Sequence, residues 1–440
     1  MPRTIYAVLT ILAALPAAAQ QMVPATLAGH ALIPADTMSP PPSDAPRDAW
    51  VSGKFTAAAD GRLDDPIGRE PHNGLRLPFF GQPLQGISGY AATRDGDGNL
   101  YALIDNGFGD KRNSVDTLLG FMRIAPDFDG GTVEVVERVF LRDPDRIVPF
   151  RLSYGGTEER YLTGGDFDPE SIQIVGDTVW IGEEFGPYLI SATLDGVVTG
   201  VFPTRLDGDV LRSPDHPRLQ VGAEAGVDYA VPRSGGYEGT ALTPSGGLLW
   251  AMLEKPLLGE DAEPEGDFLR AMAFDPGAGE WTGETFRLAL TDGAVAIGDF
   301  NFIDETRALV IERDGGQGHP SLACAEGQED GCFDEPARVK RVTLIDTASV
   351  DADGFVRKLR QIDLMDVADP DGLARVETDG AVAHGRFAFP FVTIESVVRD
   401  GAEHIIVGND NNLPFSAGRR LGVADDNEMI RLHVPDLLAD

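Results

Sequence analysis

Basic side chains are scarce in this sequence. Lysine and arginine total 36 against 71 aspartates and glutamates in 440 residues, which gives a formal net charge of −35. Nucleic acids and anionic membranes are bound through basic surfaces, so the charge balance argues against both as partners. We expect a monomer that takes a small-molecule substrate, and we expect cations wherever the carboxylates converge.

Long apolar runs are missing except at the N-terminus. There Arg3 precedes an apolar run from Ile5 to Leu15, and small residues follow up to Ala19. This pattern is typical of a secretory signal, and the run is shorter than the roughly 20 residues that a bilayer-spanning helix needs. We expect residues 1–19 to be a cleaved signal peptide, with no membrane insertion and a periplasmic or extracellular mature protein.

Cysteine is nearly absent. The two cysteines, Cys324 and Cys332, lie in one polar loop, SLACAEGQEDGCF. A zinc site would need further Cys or His at ligand spacing, and none is near. In an oxidising compartment the pair is therefore predicted to form a disulfide.

Several common catalytic motifs are also lacking. There is no G-x-S-x-G, the seven histidines form no H-x-H or H-E-x-x-H pair, and the glycine-rich GGYEG lacks the lysine of a P-loop. These absences argue against an α/β-hydrolase serine, a zinc hydrolase helix and a P-loop nucleotide site.

Glycine (52) and proline (31) are abundant, and they punctuate a repeat. Each copy has an acidic or serine residue, a short apolar strand, a turn, and a second apolar strand that ends in charged residues. The copies are ISGYAATRDGDGNLYALIDN (87–106), ESIQIVGDTVWIGEE (170–184), EGTALTPSGGLLWAMLEK (238–255), IGDFNFIDETRALVIERD (297–314) and IESVVRDGAEHIIVGNDNN (394–412).

The repeat predicts an all-β fold, a β-propeller. Each copy is an antiparallel hairpin, and less regular strands that follow it complete a four-stranded blade. Five repeats are clear, and a sixth blade could come from the stretch before Gln85 or from residues 346–390. We expect residues 20–80 to form a connector with a closing strand that pairs with EMIRLHVPDL near the C-terminus, and residues 81–440 to form the propeller.

Hairpin geometry places the candidate site. The start of the first strand and the end of the second lie at the same end of a hairpin, so both positions of every repeat meet on one propeller face. The opening residues are Ser88, Glu170, Glu238, Asp299 and Glu395, and the closing carboxylates are Asp105, Glu183 or Glu184, Glu254, Glu312 and Asp410.

Oxygen ligands without histidine or cysteine favour Ca²⁺. The predicted calcium ligands are Asp105, Glu170, Glu184, Glu238, Glu254, Asp299, Glu312, Glu395, Asp410 and Asn411. For each single carboxylate, capping a turn or pairing with a neighbouring base is the competing interpretation. Lysine and arginine side chains near these carboxylates could bind an anionic substrate, or they could only neutralise the carboxylates. These residues are Lys111, Arg112, Lys255, Arg313 and Arg419.

Several of these segments resemble one known family. The motifs are DNGFGDKRNSVD (105–116), GDFDPES (165–171), WIGEEFGPYL (180–189), GGYEGTAL (235–242), LVIERD (309–314) and IESV with VGNDNN (394–412). Together they resemble the phytase-like, "esterase-like activity of phytase" domains of bacterial secreted proteins, from about residue 81 to 432. The resemblance implies a β-propeller related to calcium-dependent phytases and a phosphoester hydrolase activity, but it assigns no catalytic residue.

Three functions therefore compete. A calcium-dependent phosphoesterase predicts several ions with bases between them. A calcium-dependent lactonase or arylesterase predicts one axial ion and a nearby histidine. A non-catalytic binding propeller predicts carboxylates that are individually paired with lysine or arginine.

Overall fold

The fold follows the repeat. The structure is a computed structural model, and it describes residues 21–56, 73–217, 229–259 and 261–440; the expected signal peptide at 1–19 lies outside this part. The described residues form five four-stranded antiparallel blades, numbered here in chain order of their innermost strands. The first two strands of each blade are the predicted hairpin.

Each blade runs from an innermost strand beside the axis to an outermost strand. Blade 1 consists of Ile87–Arg94, Leu100–Ile104, Gly120–Asp127 and Thr132–Phe140. Blade 2 consists of Pro169–Val175, Thr178–Glu183, Tyr188–Thr193 and Val198–Pro203. Blade 3 consists of Tyr237–Leu242, Leu249–Leu253, Phe268–Asp275 and Glu280–Ala289. Blade 4 consists of Ala296–Phe302, Arg307–Arg313, Lys340–Val350 and Val356–Asp363.

Blade 5 closes the ring with strands from both ends of the chain. Its inner strands are Ile394–Arg399, His404–Asn409 and Asn427–His433. Its outermost strand is the N-terminal Thr26–Ile33, which pairs antiparallel with Asn427–His433. This pairing of a C-terminal with an N-terminal strand is the one expected from the sequence, and it supplies the fourth strand of blade 5.

The stretches considered for a sixth blade have other roles among the described residues. The region before Gln85 supplies the outer strand of blade 5, and Gln21–Met22 adds to the edge of blade 4. Residues 346–390 contain the outer strand of blade 4.

The remaining short elements are Met38–Ser39, Val51–Ser52, Phe79–Phe80, Gln82–Pro83, Arg205–Leu206, Asp209–Val210, Val367–Ala368, Arg386–Phe387, the 3₁₀ turns Arg47–Trp50 and Pro320–Leu322, and the helix Pro435–Leu438.

Apolar packing joins neighbouring blades. Five of the buried apolar clusters each combine side chains from two adjacent blades, in the pairs 1–2, 2–3, 3–4, 4–5 and 5–1. The second strand of blade 1, LYALI, is buried at every residue, as expected of a strand covered on both faces. Burial of these inter-blade faces holds the ring together.

Two amides cross the axis of the propeller. The Gln173 side chain donates to the Thr240 carbonyl (2.7 Å) and to Asn301 Oδ1 (2.8 Å). The Asn301 amide donates in turn to the carbonyls of Tyr90 (3.1 Å) and Val397 (2.9 Å). Because these residues come from all five inner strands, the amides tie the blades together and separate the two ends of the axis.

The predicted disulfide is confirmed: Cys324 and Cys332 are bonded in the long loop of blade 4.

Among the described residues, no helix has the length and apolar character needed to cross a membrane.

Candidate functional site

A β-bulge at the start of each inner strand sets the position of the site. Pairing skips one residue at Glu170, Glu238, Gly298 and Glu395, and it shifts at Ser88–Gly89 in blade 1. A bulge re-aims the extra residue out of the ladder. These bulged residues are the structurally equivalent opening positions of the five blades.

The closing positions follow from the same ladders. In each blade the residue just before the bulge pairs with a residue at the end of the second strand, and the closing position is the residue after that partner. The closing residues of blades 1 to 5 are Asp105, Glu184, Glu254, Arg313 and Asp410. Four blades therefore supply a closing carboxylate, while blade 4 supplies an arginine. Blade 4 also has a glycine at its opening position, so it contributes no carboxylate to either set.

Eight carboxylates converge at this end of the axis. We call them the carboxylate cluster: Asp105, Asp168, Glu170, Glu184, Glu238, Glu254, Glu395 and Asp410, each at most 9% exposed. Seven come from opening or closing positions. Asp168 comes from two residues before Glu170, and its backbone carbonyl accepts a hydrogen bond from the Glu184 amide (2.9 Å).

Two triads within the cluster have the spacing of a metal site. One oxygen each from Asp168, Glu170 and Glu184 lie within 4.8 Å of one another, and the same holds for Glu184, Glu238 and Glu254. Glu184 belongs to both triads. This set of hard carboxylate oxygens suits Ca²⁺ or Mg²⁺ better than softer transition metals.

Burial and mutual repulsion raise the pKa values of the cluster. Burial is the largest cause for Glu170 and Glu184, whose pKa values lie well above the usual range, and the charges of neighbouring carboxylates add to it. The same causes raise the pKa values of Asp105, Glu238 and Asp410. Burial raises the pKa of Asp168 to about 6. Carboxylates in this setting either hold protons or attract cations.

Two oxygens of the first triad lack partners in the described part of the chain. Asp168 Oδ1 and Glu184 Oε1 are buried, and neither has a hydrogen-bond partner among the described residues. A buried carboxylate oxygen without a donor costs free energy unless an ion, a water molecule or a proton compensates it. Both residues belong to the triad Asp168, Glu170 and Glu184, so that triad has the donor set of a cation site.

The second triad has a cation supplied by the chain. Arg313 Nη2 contacts Glu254 Oε1 at 2.9 Å, Glu395 Oε1 at 3.2 Å and Glu238 Oε1 at 3.4 Å. Burial alone would lower the pKa of the Arg313 guanidinium, but these three carboxylates raise it. The side of the cluster formed by blades 3 to 5 is therefore partly neutralised by an arginine that is itself buried.

Two lysines border the cluster. Lys255 Nζ lies 2.8 Å from Glu254 Oε2, and its side chain is one-third exposed. Lys111 lies over the Phe185 ring and donates to the Asp215 carbonyl (2.9 Å); burial lowers its pKa. Lys255 is thus a cation of the site that also faces solvent.

The structure does not bring Asp299 and Glu312 into the cluster. Asp299 is one residue past the bulge and accepts from the amides of Phe300 (2.6 Å) and Val397 (2.7 Å). Glu312 is one residue before the closing position and pairs with Lys358 at 2.5 Å. Each lies one residue from the equivalent position, and successive side chains of a strand point to opposite faces.

Other candidates are occupied elsewhere. Arg419 pairs with Glu428 at 2.5 Å and lies among phenylalanine rings, buried. Arg112 is exposed and pairs with Asp110. Asn411 bridges the Gly86 amide (3.1 Å) and the Asp425 carbonyl (2.9 Å). These contacts hold loops of the face together and leave the three side chains outside the triads.

Glu183 also has a local role. Its oxygens accept from the amides of Phe185 (2.8 Å), Gly186 (2.7 Å) and Tyr188 (2.8 Å), and burial raises its pKa to about 8. Of the two adjacent glutamates in blade 2, Glu184 is therefore the one that enters the cluster.

The residue that sequence reasoning missed is Asp168. It precedes the inner strand of blade 2 and lies outside the repeated opening and closing positions. Two residues before the opening position, blades 1 and 3 have glycines, Gly86 and Gly236. The signal was present in GDFDPES, where Asp168 and Glu170 are two residues apart.

One family model matches the sequence. Its description is "Phytase-like: Esterase-like activity of phytase", and the match covers residues 82–413. No curated protein matches the chain at a significant level.

Solved structures with a similar chain path include several enzymes and one protein described as a propeller. GH43 endo-arabinanase from Bacillus licheniformis has 11% identity and a TM-score of 0.36, over 78% of this chain and 94% of that one. Myxococcus xanthus glutaminyl cyclase has 9% identity and a TM-score of 0.35, over 80% and 91%. The Dos1 propeller has 10% identity and a TM-score of 0.31, over 82% and 70%.

Proposed function

The chain belongs to the phytase-like family, and we propose that it is a secreted, calcium-dependent hydrolase of small phosphoesters. The observation that carries this proposal is the triad Asp168, Glu170 and Glu184, in which two buried carboxylate oxygens lack any donor among the described residues. The family match and the bases beside the cluster support the phosphoester substrate. The Cys324–Cys332 disulfide supports an oxidising compartment outside the cytoplasm.

The cluster requires cations to bind a phosphorylated ligand. Eight buried carboxylates would repel a phosphate group, and Arg313 is already engaged by three of them. Calcium held by Asp168, Glu170 and Glu184 would supply Lewis-acid polarisation of a phosphoryl oxygen and neutralise its charge. This set of ligands offers only carboxylate oxygens, which is the ligand type that Ca²⁺ prefers.

The chain's own cations complete the proposed site. Arg313 holds Glu238, Glu254 and Glu395 in fixed positions, so its role is to organise ligands. Lys255 is anchored to Glu254 at 2.8 Å and remains partly exposed, so it is placed to donate to an oxygen of the substrate phosphate. Lys111, which lies over the Phe185 ring and interacts electrostatically with Asp168, is the second candidate donor.

In the proposed reaction the oxygen of a water molecule bonds to phosphorus, the bond from phosphorus to the ester oxygen breaks, and the proton that the water releases ends on the leaving alcohol. The cations at the site, Lys255 included, stabilise the charge that develops on the phosphoryl oxygens. The amides of Gln173 and Asn301 cross the axis, so we expect substrate to enter from the carboxylate face. We expect the protein to act as a monomer.

The alternatives make different predictions. A lactonase or arylesterase with one axial calcium would use a nearby histidine, and neither triad contains one. A binding propeller would pair each carboxylate with a base, and this describes the Arg313 side but not the triad Asp168, Glu170 and Glu184. Two adjacent triads with Arg313 and Lys255 beside them fit the phosphoesterase best.

Calcium titration combined with substrate assays tests the proposal. We expect metal-free protein to bind Ca²⁺ and to hydrolyse an aryl phosphate only with Ca²⁺ present, with less turnover of a carboxylic ester or a lactone. Because Glu184 belongs to both triads, Glu184→Gln should weaken calcium binding at least about 100-fold. Glu329→Gln, an exposed carboxylate on the disulfide loop, is the matched control.

Three results would overturn parts of the proposal. Calcium binding without any hydrolysis would favour the binding propeller. Faster turnover of the lactone or carboxylic ester than of the phosphate would favour the second enzyme class. Absence of both calcium binding and phosphoester turnover would refute the proposal altogether.

A further inference from the structure

Asn106 lies between the first triad and the loop that follows the second strand of blade 1. It comes directly after Asp105, the closing carboxylate of that blade, and it is only 2% exposed. A Cβ atom at the position of Gly164 would lie 2.0 Å from the carbonyl oxygen of Asn106. The backbone of Asn106 therefore packs directly against the segment that leads to Asp168.

The side-chain oxygen of Asn106 is fully used by its own loop. Oδ1 accepts from the amides of Phe108 (3.1 Å) and Gly109 (2.9 Å) and from the Ser114 hydroxyl (3.2 Å). An amide oxygen has two lone pairs, so three donors leave it no capacity to bind a cation. The same three donors fix the orientation of the amide group, because its nitrogen must occupy the other side.

The other partner of Asn106 is a carboxylate of the first triad. Burial raises the pKa of Asp168 to about 6, and hydrogen bonds with Glu170 and with the side chain and backbone of Asn106 oppose this rise. Because Asn106 Oδ1 is taken, the side-chain donor to Asp168 is the amide nitrogen. Asp168 Oδ1 has no partner among the described residues, so Asn106 holds the carboxylate without using this oxygen.

We propose that Asn106 is a positioning residue of the calcium site, whose amide nitrogen holds the Asp168 carboxylate so that its free oxygen is available to the ion. Asn106 itself touches neither the ion nor the substrate. Hydrogen bonds to a ligating carboxylate fix its orientation and contribute to metal affinity. This assignment rests on the calcium site of the proposed function, and it does not depend on the phosphoester reaction.

Calorimetric titration of calcium into metal-free protein tests the assignment. Asn106→Ser removes the amide nitrogen, while its hydroxyl can still accept from the loop amides of Phe108 and Gly109. Ser114→Ala is the matched control, because it removes a hydrogen bond to the same Asn106 Oδ1 and leaves the nitrogen that donates to Asp168. A third variant, Asp168→Asn, is measured alone and combined with Asn106→Ser.

We expect Asn106→Ser to weaken calcium binding at least about tenfold, and Ser114→Ala to weaken it less than about twofold. Saturating calcium should also raise the melting temperature of Asn106→Ser by less than it raises that of the wild type. In the Asp168→Asn background, Asn106→Ser should weaken binding by less than about twofold, since the carboxylate that it positions is gone.

Two results would refute the positioning role. One is wild-type calcium affinity in Asn106→Ser. The other is the same loss of affinity with and without Asp168→Asn, which would indicate a general effect on the loop. Asn106→Ala gives both comparisons if Asn106→Ser does not fold.

The same titration separates this assignment from the proposed function. Absence of calcium binding in the wild type would refute the calcium site and the role of Asn106 together. Calcium binding that depends on Asn106, without any phosphoester turnover, would support the positioning role and refute only the proposed reaction.

Discussion

The two sides of the carboxylate cluster differ in where their positive charge comes from. On one side Glu238, Glu254 and Glu395 share the buried guanidinium of Arg313. On the other side Asp168 and Glu184 each keep a buried oxygen without a partner among the described residues. The first side carries its cation within the chain, and the second is the side where a cation from solution is expected.

This difference originates in one blade. Blade 4 has Gly298 and Arg313 at the positions where blades 2, 3 and 5 have two carboxylates. The glycine removes an acid, and the arginine neutralises acids of blades 3 and 5. The altered residues of blade 4 thereby help to divide the cluster into two distinct halves.

The largest effect is expected from removing the internal cation. Arg313→Gln leaves Glu238, Glu254 and Glu395 buried without a guanidinium, so metal-free protein should lose about 3–5 kcal/mol of unfolding free energy. Calcium should restore much of this loss, and calorimetry should show additional bound calcium, since the second triad becomes available. Urea unfolding with and without calcium measures the first effect; equal loss under both conditions would contradict the comparison.

Asp168→Asn should act in the opposite direction on metal-free protein. It removes a charge from the side whose carboxylates Arg313 does not contact, so the unfolding free energy without calcium should rise by about 1 kcal/mol, while calcium affinity falls about 100-fold. Asp371→Asn, an exposed aspartate of the loop before blade 5, is the control. Unchanged calcium affinity in Asp168→Asn would remove that residue from the site.

The pH dependence of stability should differ between metal-free and calcium-loaded protein. Burial raises the pKa of Asp168 from 3.8 to about 6, so between these values the folded chain keeps a proton that the unfolded chain has released. Asp168 alone should therefore cost metal-free protein about 2 kcal/mol as the pH rises from 4 to 6, and the other cluster carboxylates with raised pKa values add to this loss. Calcium binds the deprotonated form, so its stabilising effect should increase over the same range. Thermal melts with chelator or calcium check this, and parallel curves would contradict it.

Glu312→Gln should show that the ion pair between Glu312 and Lys358 stabilises the fold and takes no part in calcium binding. Its carboxylate contacts Lys358, Thr343 and Gln361 away from both triads. Loss of its charge should destabilise the fold by about 1–2 kcal/mol with calcium affinity unchanged. A tenfold or larger fall in calcium affinity would place Glu312 back among the ligands.

The fold could be predicted from the repeat because turn residues, apolar strands and acidic ends recur in register. The hairpin geometry also indicated correctly that opening and closing positions share one face. The bulge in blade 4 was not visible in the sequence: IGDF reads as if Asp299 opened the strand, whereas the structure has Gly298 there. By the same shift of one residue, Glu312 was predicted at the closing position of blade 4, where the structure has Arg313.

The pairing of charged side chains could not be predicted from the sequence either. Arg313 and Arg419 both follow acidic segments, but only the folded chain shows that Arg313 contacts three glutamates and that Arg419 pairs with Glu428 between phenylalanine rings. Asp168 was not predicted from the repeat, because only blade 2 has a carboxylate two residues before its opening position. Partner choice depends on contacts between blades and between a blade and its loops, which the pattern of the repeat does not contain.

Long-wavelength anomalous diffraction from crystals grown with calcium would locate the bound ions. We expect an anomalous peak among Asp168, Glu170 and Glu184, with calcium–oxygen distances of about 2.3–2.6 Å. A calcium-soaked crystal with no peak between these three carboxylates, or with its strongest peak beside Arg313, would contradict it.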